Sequence, residues 1–222
     1  MTLTIQNLSF KFPYKSKKKS GLFNINLEIN KGEKIGLIGN NGSGKSTLLR
    51  IIARIYSQDT GTIKGSKKIY SIFNFNSGID PELNGIQNIY RMAIIRQIER
   101  GKIDSNISDL VDFTDLKEKI YDPVFTYSKG MKIRLGISLL NVVTPKIIIF
   151  DEGLGAGDMQ FINKVRKLID FKIKESAISF IATHSMKILN DLTTRSLVLD
   201  RGRIIYDGST NDAVKLYQKM KI

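Results

Sequence analysis

Eight consecutive residues constrain this chain more than any other stretch: Gly39-Asn40-Asn41-Gly42-Ser43-Gly44-Lys45-Ser46. They follow a short apolar run, Lys34 to Gly39, that reads as a buried strand, and they open onto a stretch, Ser46 to Ile55, that reads as a helix. Glycines in this arrangement let the backbone wind around an anion with its N–H groups inward, and the helix adds its positive dipole end at the same spot. Lys45 is then placed to bridge β- and γ-phosphates, Ser46 to hold Mg²⁺, and Thr47 to reach the α-phosphate. The bland alternative, a glycine turn between a strand and a helix, has no reason to reproduce the whole pattern in the strand-loop-helix context it requires. A guanine reader of the form Asn-Lys-x-Asp is missing, because the one Asn-Lys pair continues as Asn163-Lys164-Val165-Arg166. The nucleotide expected is therefore ATP.

Charge does not choose among partners. The chain has 222 residues with 35 Lys+Arg against 21 Asp+Glu, a formal net charge of +14. That excess suits nucleic acid, an anionic membrane surface or a polyanionic nucleotide. The absence of cysteine excludes a disulfide framework, a thiolate zinc site and a cysteine nucleophile. Met1 to Phe10 lacks the basic and apolar regions of a signal peptide. The longest apolar stretches, such as Ile147 to Phe150 or the interrupted Ile133 to Val143, fall far short of the about 20 residues a membrane span needs. Any membrane role is expected to be peripheral.

Strand-like alternation runs through Leu3, Ile5, Leu8, Phe10 and Phe12 on either side of Asn7, and again from Leu22 to Ile29, where Phe23, Ile25, Leu27 and Ile29 share one face. Between them lies a polar, lysine-rich loop, Lys15 to Ser20, so an antiparallel start is expected. Ile86, Ile89, Tyr90, Ala93, Ile94 and Ile98 predict a helix with Asn84 as N-cap and Gly101 as its stop. Further helices are expected over Ser108 to Lys119 and Lys129 to Val143, making a mostly helical lobe at roughly 78–143. Strands at Ile147 to Phe150, Ile178 to Ala182 and Ser196 to Leu199 then alternate with helices at Phe161 to Lys174 and Met186 to Leu192, which predicts a parallel sheet. Arg203 to Tyr206 with Asp207-Gly208 reads as a hairpin before a short final helix.

A second constellation closes the site. The apolar strand Ile147 to Phe150 ends in Asp151-Glu152, and in an open α/β sheet the carboxyl ends of strands carry the ligand. Asp151 can hold Mg²⁺ and Glu152 can polarise the attacking water. With these in place, Tyr127-Ser128-Lys129-Gly130-Met131, Gly155-Ala156-Gly157-Asp158 and the sole histidine, His184, fall in the order of the signature motif, D-loop and switch histidine of the ATP-binding cassette (ABC) ATPases, which the whole chain resembles. Taken singly these are weak: Ser128 also reads as a helix N-cap, and a lone histidine is usually structural.

The resemblance implies an α/β P-loop NTPase fold of the ABC nucleotide-binding type, a single domain over 1–222. It would have a RecA-like core sheet, an antiparallel β subdomain and an inserted helical subdomain. It implies ATP and Mg²⁺ as ligands, Phe12 (or Tyr14) stacking on adenine, and catalysis by Lys45, Glu152 and His184. It implies a homodimer whose sites each join one subunit's P-loop to Ser128, Gly130 and Asp158 of the family's dimer-facing motifs. ATP would close the dimer and hydrolysis open it.

The pattern has departures. Tyr70 to Ile79 lacks the glutamine the family usually carries, leaving Asn74, Asn76 and Ser77 as the polar residues available, and the signature has Lys129 and Met131 where many cassettes have Gly and Gln. Asn76 to Gly85, with Pro81-Glu82-Leu83 at its centre, and Tyr127 to Met131 resemble the branch that exports capsular polysaccharide, O-antigen and teichoic acid. The chain's end at Ile222 resembles the short capsule-export type. That implies transmembrane permease subunits, a lipid-linked polysaccharide carried through them, and a peripheral position on the cytoplasmic face of the inner membrane. Asp80 to Gly85 would receive the permease's coupling helix, and the Lys15 to Lys19 loop would either be a solvated hairpin or lie near anionic headgroups. Rival expectations are the ATPase of another exporter, a nucleic-acid-associated cassette and a regulatory cassette without turnover. Chromosome-maintenance relatives carry a long coiled-coil insert and translation-factor relatives two cassettes, so no nucleic-acid partner is expected, and retention of Lys45, Asp151, Glu152 and His184 favours turnover.

Overall fold

The computed structural model describes residues 1–12, 21–151, 159–183 and 185–220. The lysine-rich loop with Tyr14, and Glu152, Gly155 to Asp158 and His184, lie outside the described residues. The chain divides into two compact units: one takes residues 1–72, 145–151 and the described part of 173–220, the other residues 73–144 and 159–172.

The first unit contains two sheets. β1 (Thr2–Lys11) and β2 (Gly21–Asn30) pair antiparallel as expected. Their alternation changes phase midway, because Asn7 and Asn24 adopt left-handed backbone, with φ 50° and 53°, and the register shifts there. Leu3 and Ile5 give way to Leu8 on the buried face, and Leu22 to Ile25, Leu27 and Ile29. Phe23 therefore does not share the face of Ile25, against the simple alternation. Asn tolerates this conformation better than most residues. β3 (Lys34–Ile38) leads into the phosphate loop and α1 (Lys45–Ile52), which ends three residues before the expected Ile55, Arg54 having turned to φ 62°. β4 (Thr60–Lys64), which had no strand signal because Ile63 is its one apolar residue, lies along β1 and completes a three-stranded sheet.

The main sheet adds β5 (Ile69–Ile72), β6 (Ile147–Asp151), β7 (Ile178–Ala182), β8 (Arg195–Asp200) and β9 (Arg203–Ser209), in the order β5-β6-β7-β3-β8-β9. The first five strands are parallel and β9 is antiparallel to β8. Asp207-Gly208 is not the hairpin turn: both lie inside β9, and Arg201-Gly202, with φ 44° and 76°, makes the turn. The near-continuous burial of β3, β6 and β7 suits strands covered on both faces.

In the second unit, α2 (Gly85–Ile95) is capped by Asn84, whose side chain accepts from the Gln87 amide while Gln87 returns a bond to the Asn84 amide. The helix ends at Ile95 and the chain turns at Gln97, with φ 55°, so that Gly101 lies instead inside a new short helix, α3 (Arg100–Asp104). α4 (Ile107–Thr114) ends at left-handed Asp115, short of the expected Lys119, and Lys117–Tyr121 tightens into a 3₁₀ turn. α5 (Lys129–Ser138) likewise passes into 3₁₀ at Leu139–Asn141. Ile89, Met92, Leu110, Ile120, Val124, Leu135 and Leu139 form the core of this unit. α6 (Met159–Glu175) carries the chain back toward the first unit, where α7 (Met186–Leu192) and α8 (Thr210–Met220) complete the fold. Among the described residues, no helix is long and apolar enough to cross a membrane.

Candidate active site

The phosphate loop leaves the carboxyl end of β3, and its shape depends on how closely other backbone approaches it. A Cβ at Gly39 would collide with the Leu199 carbonyl and Ser43 Oγ, at a φ of 156°. Gly44, at φ 110°, immediately precedes α1 and would press a Cβ against Leu22 Cδ2 at 2.8 Å. The loop is fixed from one side by the β8–β9 turn: Gly202 N–H donates to the Ser43 carbonyl at 2.9 Å, and the Gly202 carbonyl accepts from Phe23 N–H at 2.9 Å. Lys45, itself buried, donates from Nζ to the carbonyls of Gly39 at 2.8 Å and Asn40 at 3.1 Å. This holds its ammonium over the loop. Ser43 Oγ is buried there with no hydrogen-bond partner, and an oxygen in that condition is expensive unless something binds it. Ser46 and Thr47 follow in the first turn of α1.

Asp151 reaches the same edge through sheet register. Leu37 and Asp151 both pair with Ala182, from opposite sides of β7. Two strand spacings, about 10 Å, therefore separate Asp151 from the β3 rung two residues before Gly39. Phe12 stands at the end of β1, one residue beyond the Lys11–Gly21 pair. It is partly exposed and meets Phe10 edge-on at 5.0 Å and Tyr56 at 6.5 Å, while Phe10 and Tyr56 stack at 5.6 Å. The first unit thus gathers Phe12, Gly39 to Thr47 and Asp151.

Ser128 and Gly130 belong to the second unit. Ser128 caps α5, its hydroxyl accepting from Met131 N–H at 3.2 Å, at an exposed helix start. Its approach is anchored by buried Tyr127, whose hydroxyl donates to the Lys119 carbonyl at 2.6 Å. Burial, with a smaller contribution from Asp122, pushes the Tyr127 hydroxyl up to about 12.

Residues 22–155 match the ABC transporter family. The chain belongs to that family. It is 37% identical, over 86% of its own length and 79% of the relative's, to the O-antigen export system ATP-binding protein RfbE of Yersinia enterocolitica. It is 40% identical to the teichoic acids export ATP-binding protein TagH of Levilactobacillus brevis over 89% of this chain and 55% of that protein. For the TagH of Bacillus cereus the identity is 37%, over 91% and 38% respectively. The chain thus spans about half or less of these teichoic acid proteins. The ATP-binding subunit of an ABC transporter superposes with a TM-score of 0.78 at 20% identity, covering 98% of this chain and 94% of that one. A dimeric ATP-binding cassette in a post-hydrolysis state with ADP and Pi gives 0.75 at 20%, covering 94% and 98%. The fold is that of ABC nucleotide-binding domains.

Several residues that shape the cassette were missed in the sequence. Asn88 is fully buried and accepts from Asp80 N–H at 2.7 Å while its amide donates to the carbonyls of Asp80, Leu83 and Asn84 at 2.9–3.0 Å. The loop so fixed also accepts bonds from Val124 N–H at Leu83 and from Phe125 N–H at Pro81, just ahead of the signature motif. Gly202 bonds to Ser43, Tyr56 stacks on Phe10, and the Tyr217 hydroxyl donates to Asn40 Oδ1 at 2.9 Å. Only Asn88, at an i+4 position from the cap Asn84, carried a cue: a polar residue on an otherwise apolar helix stripe.

Proposed function

We propose that this chain is the ATP-hydrolysing subunit of an exporter that moves a lipid-linked polysaccharide of the capsule, O-antigen or teichoic acid type across the inner membrane. The observation that carries the reading is the phosphate loop: Lys45 poised on the carbonyls of Gly39 and Asn40, beside a buried, unpartnered Ser43 hydroxyl, at the sheet edge where Asp151 also ends. Export as the destination of the energy is supported by the likeness to the O-antigen and teichoic acid export proteins over 86–91% of the chain.

ATP binds with its adenine on Phe12 and its phosphates in the loop, where the amides from Gly42 to Thr47 and the Lys45 ammonium balance their charge. The donor set fits Mg²⁺: Ser46 and Asp151 offer hard oxygens, as suits an ion held by one or two side chains and phosphate oxygens. When bound, it neutralises phosphate charge. Glu152 takes a proton from water as the water oxygen attacks the γ-phosphorus, and the bond to the β–γ bridging oxygen breaks to release ADP. His184 holds the γ-phosphate oxygens.

Two copies of the chain form a homodimer, each presenting Ser128, Gly130 and the α5 N-terminus to the other's γ-phosphate, with Asp158 at the junction; ATP closes the pair and hydrolysis opens it. Transmembrane permease subunits dock on the helical unit at Asp80 to Gly85, beside a surface lined by Leu83, Tyr90, Ile94 and Ile95, where both isoleucines are exposed. The ladder from Leu83 and Pro81 to Val124 and Phe125 then links that docking to the signature motif. The subunit works peripherally on the cytoplasmic face, without a nucleic-acid partner.

Replacing Glu152 by Gln tests the chemistry. ATP binding is retained, a closed dimer accumulates, and hydrolysis falls about 100-fold or more. Hydrolysis at the parent rate overturns Glu152 as the base.

A further inference from the structure

We infer that Tyr217, on the final helix, is a positioning residue for the nucleotide: through its hydroxyl it fixes the phosphate loop at Asn40. The inference rests on the ATP-binding reading above and extends it to an element far from the motif in sequence.

Asn40 is the second residue of the loop, and its backbone carbonyl receives both Lys45 Nζ at 3.1 Å and Ser43 N–H at 3.1 Å. Its side-chain oxygen accepts the Tyr217 hydroxyl at 2.9 Å. The orientation of the Asn40 peptide therefore bears on where the lysine ammonium sits, and Tyr217 holds that peptide from outside the loop. Tyr217 can do so because α8 is anchored along its length. At its start, Thr210 Oγ1 lies 2.9 Å from both Thr193 Oγ1 and Ser196 Oγ, a buried hydroxyl cluster joining α8 to the end of α7 and to β8. Further along, Ala213, Val214 and Tyr217 pack with Leu189, Val198 and Ile38, the residue immediately before Gly39. A side chain held by a packed helix places its hydroxyl with little entropy left to lose, which is the condition under which one hydrogen bond orients a loop.

The prediction is specific to the hydroxyl. Tyr217→Phe keeps the ring and its packing, and in the full chain it weakens equilibrium binding of Mg·ATP about 3- to 10-fold. The melting temperature without nucleotide stays near the parent's, while the increase produced by a fixed ATP concentration shrinks. Asn40→Ala gives a similar loss of affinity, and the double variant loses no more than the larger of the two. Unchanged ATP affinity in Tyr217→Phe overturns the inference, as do losses that simply add in the double variant. A lowered melting temperature with an intact ATP-induced increase also overturns it, because that is what a purely structural tyrosine produces. Lys45→Ala separates the two levels: if it binds ATP as the parent does, or if the parent binds none, the nucleotide reading itself fails.

Discussion

The phosphate loop and the signature segment both present backbone N–H groups at a helix start, yet they are built in opposite ways. The loop carries in its own sequence the glycines that permit its path, at 39, 42 and 44 with positive φ, and Gly202 and Tyr217 then hold that path from outside. The signature segment is an ordinary capped helix start, with Ser128 bonded to Met131 N–H. Its placement is imposed from elsewhere, by Tyr127 on the Lys119 carbonyl and by the Asn88-braced loop paired with Val124 and Phe125. A site whose backbone path needs glycine at several positions makes a recognisable motif, whereas a site built on ordinary helix capping has a motif that reads as a common cap.

Substitutions can break this contrast, and the largest effect is expected on the loop side. Lys45→Ala removes the ammonium proposed to balance phosphate charge, and ATP hydrolysis is expected to fall about 10²- to 10³-fold, measured as steady-state phosphate release. Gly39→Ala places a methyl against the Leu199 carbonyl at a glycine-only φ and costs about 2–4 kcal/mol in denaturant unfolding. A loop that tolerated alanine there would not need glycine at that φ and that close approach. On the signature side, Asn88→Ala removes the acceptor of the Asp80 amide and one donor each from the carbonyls of Asp80, Leu83 and Asn84, and costs about 2–3 kcal/mol. Hydrogen-exchange protection should drop in α2 and around Pro81 to Tyr127 while α1 keeps its own. Ser128→Ala costs about 1 kcal/mol as a lost cap; Ser128→Gly costs less in stability, so ATPase activity lost in both variants isolates a role of the hydroxyl beyond capping, as the proposed dimer requires.

The effect that is silent at neutral pH is confined to alkaline solution. The Tyr127 hydroxyl ionises near its ordinary 10 in the unfolded chain but only at about 12 when folded, because burial disfavours the phenolate. Its contribution is whole below pH 10 and declines between pH 10 and 12, since deprotonation there favours the unfolded chain. Tyr127→Phe should flatten that part of the pH–stability curve, measured by chemical denaturation; an unchanged slope would mean the hydroxyl is not buried as described.

Much of the fold was legible because it rests on local chemistry. The Asn84 cap with Gln87, the buried runs at Ile35 to Ile38, Ile147 to Phe150 and Ile178 to Ala182, and the phosphate loop between strand and helix are each specified by adjacent residues. What misled was also local. Gly101 looked like a helix stop, but the chain had already turned at Gln97. Asp207-Gly208 looked like a turn, but pairing with Leu197 and Ser196 holds both residues in β9. β4 had no apolar alternation because most of its side chains face solvent, and its identity as a strand comes from the edge of β1 that it covers.

By itself, then, the sequence determined the loop from Gly39 to Ser46, the acidic end of β6 at Asp151 and the order of motifs that carries the ABC resemblance, because each is set by residues within one turn or strand of one another. Tertiary structure alone decided that Leu37 and Asp151 stand level across Ala182, that Gly202 clamps Ser43, that Asn88 braces the loop from Asp80 to Asn84, and that Tyr217 reaches Asn40. These depend on which distant backbones meet, and strand register and helix docking fix that only when the whole core is packed.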